Sequence, residues 1–89
     1  MTTAKRWDVH IFIDEDESKT RAEARLVMGD NTQLVGTGTA RRNPRDMNVP
    51  EIGDELAVAR ALSELSHRLL HAAAEDIEGV TRQPAHLEA

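Results

Sequence analysis

The hydrophobic period changes once along this chain, and no other feature constrains its fold as tightly. From Arg6 to Arg41 apolar residues alternate with polar ones, the two-residue period of a strand. From Pro50 to Glu78 they recur every three or four residues, the period of a helix. In the first stretch Trp7, Val9, Ile11 and Ile13 share one face, and Arg6, Asp8, His10, Phe12 and Asp14 the other. Glu15–Ser18 makes a polar turn, and Ala22, Ala24, Leu26 and Met28 then alternate with Arg21, Glu23, Arg25 and Val27. Gly29–Asn31 is a second turn of residues that tolerate positive φ. A third alternating run sets Leu34, Gly36, Gly38 and Ala40 against Val35, Thr37, Thr39 and Arg41.

The pattern predicts an α+β fold of two layers, β-β-β-α: a three-stranded antiparallel meander with one long C-terminal helix packed across it. Strands are expected over about 5–14, 20–28 and 33–41, a loop over 42–49, a helix over about 51–78 and a tail over 80–89, all in one domain. Pro50 suits a first helical turn, Glu51, Asp54 and Glu55 suit the positive end of the helix dipole, and Gly79 suits its stop. The face carrying Trp7, Val9, Ile11, Ile13 and Leu26 is expected to receive the helix through the stripe Ile52, Leu56, Ala59, Leu62, Leu65, Leu69, Ala73 and Ile77.

The stretch VGTGTARRNPRD, residues 35–46, invites comparison with a phosphate-binding loop. Such a loop follows a strand and opens a helix. Here Gly36 and Gly38 fall inside the third strand, on its helix-facing side, with no third glycine and no Gly-Lys-Ser/Thr. They are expected to admit a helix closely, against Ala59 and Ala73. Arg41, Arg42 and Arg45 can grip phosphate or carboxylate, or pair with Asp46, Asp54 and Glu55 nearby.

Other constellations point away from catalysis and metals. His67 and His71 lie four apart with Glu64 and Glu75 along one stripe, but on the face opposite Leu62, Leu69 and Ala73. The i,i+4 pairs Glu64–Arg68 and His71–Glu75 account for that stripe, so no metal is expected. Asp14–Glu17 lacks the spacing of a calcium loop. There is no cysteine, the serines lack a nucleophile motif, and no enzyme activity or cofactor is expected. No apolar run reaches the ~20 residues of a membrane span and no signal sequence is visible, which points to a soluble cytoplasmic protein without membrane partners.

Charge and size bear on partners. The net charge of −5 is uneven: residues 1–49 hold eight Lys/Arg and eight Asp/Glu, residues 50–89 three and eight. Phosphate neutralisation drives nucleic-acid binding, so DNA is not expected as a partner, and any RNA contact must use the first half. A chain of 89 residues buries little, and the helix carries apolar residues around half its circumference. A helix of that length overhangs a three-stranded sheet, so a homodimer is expected, with Leu56, Ile52, Leu70, Leu65 and Ala72 as candidate partner surface. The sheet's other face, with Arg21 and Arg25 beside Phe12, is a candidate surface for RNA, together with Arg41, Arg42 and Arg45, or for a protein; an open solvated face or a dimer seam accounts for it equally.

The most specific segments are Gly36-x-Gly38-x-Ala40-Arg41, Asn43-Pro44-x-Asp46 and Ile52-Gly53-Asp54-Glu55-Leu56-Ala57-x-Ala59-Arg60-Ala61-Leu62. With them the chain, from about Trp7 to Pro84, resembles a family of small actinobacterial proteins grouped as a domain of unknown function. Some of its members are associated with dormancy or low-oxygen stress. The resemblance implies a fold like that of the double-stranded-RNA-binding domain without its first helix. It also implies a dimer whose shape is likened to ribosome hibernation factors, and hence a stress-associated protein that contacts ribosomes or RNA. One departure stands out: the RNA-binding domains carry lysines at the start of the last helix, where this chain has Glu51, Asp54 and Glu55.

Overall fold

The computed structural model describes residues 2–41 and 49–88. Strands β1 (Asp8–Glu15), β2 (Lys19–Val27) and β3 (Gln33–Arg41) form one antiparallel sheet in the order β1-β2-β3, followed by helix α1 (Pro50–Thr81). The three-stranded α+β architecture is the one the two periods predict. Both hairpins are fixed by carboxylates that accept backbone N–H groups. Asp16 takes the N–H of Ser18 and of Lys19, each at 2.8 Å, and Asp30 takes that of Thr32 at 2.9 Å. Asn31, at φ 66°, supplies the left-handed residue of the second turn.

The helix outlasts its expected stop. Gly79 continues it, and the chain turns only at Arg82, whose φ of 59° and N–H bond to the Glu78 carbonyl make a left-handed cap. At its start Pro50 stands in the first turn beside Glu51, as expected.

The lateral position of α1 differs from the expectation. The helix lies over β3 and β2 and scarcely touches β1. Its contact line is Gly53, Ala57, Ala61 and Leu65, four residues apart, in place of the larger stripe through Leu56, Ala59 and Leu62. These meet Ala22, Ala24, Leu26, Gly36, Gly38 and Ala40. A Cβ on Gly36 would collide with the backbone of Ala61 and Leu65, and one on Gly38 with that of Ala57 and Ala61. The two glycines therefore serve close packing, against Ala57 and Ala61 rather than Ala59 and Ala73.

The reason is steric. Small residues on both surfaces let helix and sheet backbones come within direct contact over a long line, which the bulky side chains would prevent. The consequence is an inverted core: Ala22, Ala24, Ala57 and Ala61 are wholly buried, and no large side chain among the described residues is. Val9, Ile11 and Ile13, expected beneath the helix, are 38–46% exposed, and Trp7, Ile52, Leu56 and Leu62 are comparably open.

Candidate interaction surfaces

The two edges of the sheet are treated differently. On β3 the helix reaches over the rim. Glu64 Oε2 accepts the Thr37 N–H at 2.8 Å and the Thr37 hydroxyl at 3.1 Å, while Arg60 Nη1 donates to the Thr39 carbonyl at 2.7 Å. The Thr37 N–H first, then Arg68 at 2.9 Å and the Thr37 hydroxyl, hold the Glu64 carboxyl below its ordinary range. The i,i+4 pairs Glu64–Arg68 and His71–Glu75 form as expected, but Glu64 is more than a solvated partner, since its second oxygen caps the strand.

Thr37 also fixes the phase of the sheet. Its outward N–H makes the Glu23–Thr37 pair a non-hydrogen-bonded one, so the odd residues of β2 bond to β1. Through Arg25–His10 and Glu23–Phe12 the even residues of β1 then bond inward, and Val9, Ile11 and Ile13 point their N–H and C=O groups out of the sheet. These residues also carry the uncovered apolar face. Leu62 continues that face on the helix: it sits two residues from both Arg60 and Glu64, about 200° around the helix from the flank that grips β3.

Where β1 ends, two acids meet. Glu15, which ends β1, hydrogen-bonds the Asp54 carboxyl. That bond first, then burial and the charges of Asp54 and Glu51, push the Glu15 carboxyl above its ordinary value. Asp54 Oδ1 is sealed from solvent without a hydrogen-bond partner.

The opposite sheet face carries the candidate RNA residues. Arg25 is committed to the fold: its guanidinium lies 5.7 Å from the Phe12 ring centre and bonds Glu23 at 3.0 Å. Arg21 stands opposite Asp14, and Arg41 opposite Lys19. Arg42 and Arg45, with Asp46, lie outside the described residues. Of the candidate partner residues, Ile52 and Leu56 are exposed and Leu70 and Ala72 half-buried, but Leu65 belongs to the core.

A last hollow, of about 460 Å³, lies between α1 and the returning tail, lined by His67, Leu70, His71, Ala74, Ala85, His86, Leu87 and Glu88. Two of its imidazoles are engaged locally, His67 with the Ser63 carbonyl and His71 with Glu75. Among the described residues no three groups are placed to hold a metal ion.

No local signal marks Arg60 and Glu64 as edge caps, because they reach strand residues 21 and 27 positions away. The exposed β1 face was legible as an apolar strip, but not as an uncovered one.

The profile of the Rv2632c-like family matches residues 5–86. The uncharacterized protein Mb1767 of Mycobacterium bovis is 59% identical over 83 residues, 93% of this chain and 87% of that protein. The uncharacterized protein Rv2632c of Mycobacterium tuberculosis is 46% identical over 80 residues, 90% of this chain and 85% of that one. The crystal structure of Rv2632c aligns with a TM-score of 0.83 at 44% identity, covering 93% of this chain and 98% of that chain.

Proposed function

The chain belongs to the Rv2632c-like family, and we propose that it is a non-enzymatic module that works as a homodimer joined through β1. One observation carries this reading: the wholly buried residues are alanines, while Trp7, Val9, Ile11 and Ile13 are outside along an open strand edge, with Leu62 exposed on the helix. An apolar strip of that kind on a sheet edge normally meets a partner, and a strand is the partner that satisfies its outward N–H and C=O groups.

A second copy of this chain fits the strip by charge. Antiparallel pairing of β1 with itself about His10 sets Val9 opposite the second copy's Ile11 and Trp7 opposite its Ile13. On the other face Arg6 stands opposite Asp14 of the second copy. A twofold normal to the sheet puts both helices on one side, and the two apolar strips pool between their Leu62-bearing flanks.

Light scattering after gel filtration tests the reading. The wild type is expected at twice the chain mass. Ile11→Pro removes an N–H that points out of the sheet, so the β1–β2 ladder survives while pairing is blocked; it is expected at the mass of one chain, as is Val9→Lys. A wild type of one chain mass at micromolar concentration rules the reading out.

A second surface is favoured by the like-charge pair Lys19–Arg41, with Arg21 beside it on the open sheet face. Like charges directly opposite each other cost stability that an anionic partner relieves. The partner we propose is ribosomal RNA, in line with the stress-associated, hibernation-factor-like role and the double-stranded-RNA-binding-domain-like fold that the resemblance implies. The acidic helix start excludes the lysine-based mode of those domains, so the contact runs through the sheet. Salt-sensitive co-sedimentation with ribosomes, lost in Lys19→Ala/Arg21→Ala/Arg41→Ala, is expected. Its absence in the wild type removes this second surface and leaves the dimer untouched.

A further inference from the structure

β3 is built like a pairing strand, yet nothing in the strand itself prevents pairing. Residues 33–40, QLVGTGTA, hold no charge and no proline. Edge strands ordinarily rely on such residues to repel another chain. Paired antiparallel with a second β3 about Thr37, the strand sets Val35 opposite Thr39 and Gln33 opposite Arg41, with no like charges facing. What stands in the way is the helix: Glu64 holds the outward Thr37 N–H at 2.8 Å and Arg60 the outward Thr39 carbonyl at 2.7 Å.

We infer that Glu64 and Arg60 set the stoichiometry of assembly, closing β3 to the β3 of another copy so that growth through β1 stops at two. The inference rests on the β1 reading for the number two, but the closure of β3 stands on its own geometry. A sheet with two open edges has no point at which to stop, since each added copy presents a fresh edge. Among the described residues, Arg68 pairs with the other oxygen of Glu64, and Glu23 and Arg25 lie across the strand on the opposite face. Loss of either gate residue frees one backbone group at the centre of β3, and loss of both frees a donor and an acceptor two residues apart, the spacing that an incoming strand uses.

The experiment compares wild type, Glu64→Gln and Glu64→Ala/Arg60→Ala by light scattering over a concentration series, with circular dichroism and amide exchange at Thr37. Glu64→Gln keeps an acceptor for the Thr37 N–H and is expected to keep the wild-type mass. The double variant is expected to form species larger than the wild type, growing with concentration, while at dilutions below assembly its Thr37 amide loses about tenfold or more of its protection. A folded double variant that stays at the wild-type mass overturns the inference. A monomeric wild type removes the β1 reading alone: the gate then stands if the double variant dimerises and falls if it does not. Should the double variant fail to fold, the wild-type Thr37 amide decides, since exchange there at the rate of an open amide overturns the gate and protection supports it.

Discussion

Gly36 and Gly38 set how closely α1 approaches the sheet. A methyl group at either would press into the backbone of α1, and backbone does not yield as a side chain does. Gly36→Ala and Gly38→Ala are each expected to cost about 1–3 kcal/mol or more in urea unfolding, the range of overpacked cores. Gly79→Ala is the matched control. It lies in the helix with nothing within 4 Å of a new Cβ and should stabilise by about 0.5–1 kcal/mol. Two carboxylates give opposite pH signatures. The Glu15 carboxyl is raised, so its favourable contribution is present below the ordinary carboxylate value and is lost as pH rises through the raised one. Glu15→Gln should therefore raise the Tm at neutral pH and leave it nearly unchanged in acid. The Glu64 carboxyl is lowered, so its contribution is present above the ordinary value and is lost as pH falls through the lowered one. Thermal melts of wild type and Glu64→Gln should therefore converge towards acid pH.

Among the elements, α1 and β1 behave unlike their expected roles. The helix has 32 residues, about 48 Å at 1.5 Å per residue, and its sheet contacts end near Leu69. The final turns gain little from packing and depend on their terminus. Arg82 supplies that terminus in a left-handed conformation that favours glycine, so Arg82→Gly should stabilise the helix end by about 1 kcal/mol, read as slower amide exchange over 78–81. Strand β1 is exposed on both faces, held by β2 along one edge and by little else. The alternation that made it readable as a strand did not reveal this. Period two says that one face is apolar, and only the neighbouring layer says whether that face is covered.

The molecule as a whole is elongated, 53 × 31 × 21 Å with a radius of gyration of 16.8 Å, against about 12 Å for a compact chain of this length. An extended chain with an alanine core has little apolar area buried per residue, and the proposed dimer would add to it. Trp7, the single tryptophan, sits half-exposed on the strip through which the second copy is proposed to join. Its fluorescence should shift to the blue as concentration rises through the dimer equilibrium, and Ile11→Pro should hold it at the exposed wavelength throughout.

Strands, turns and helix follow from the sequence because each expresses a local geometry. The rise per residue and the direction of successive Cβ atoms turn a two-residue or 3.6-residue rhythm into an element without reference to anything distant. The turn at Asn31, the proline at the helix start and the glycines on the buried side of β3 are legible for the same reason. The sideways placement of α1 is a tertiary outcome. It depends on which two surfaces approach most closely, and the contest between the ladder Gly53, Ala57, Ala61 and the bulkier stripe beside it is decided only when both layers are present. From that placement follow the uncovered β1, the buried Leu65 and the capping of β3 by Arg60 and Glu64, because a shift of one strand's width decides which edge the helix can reach.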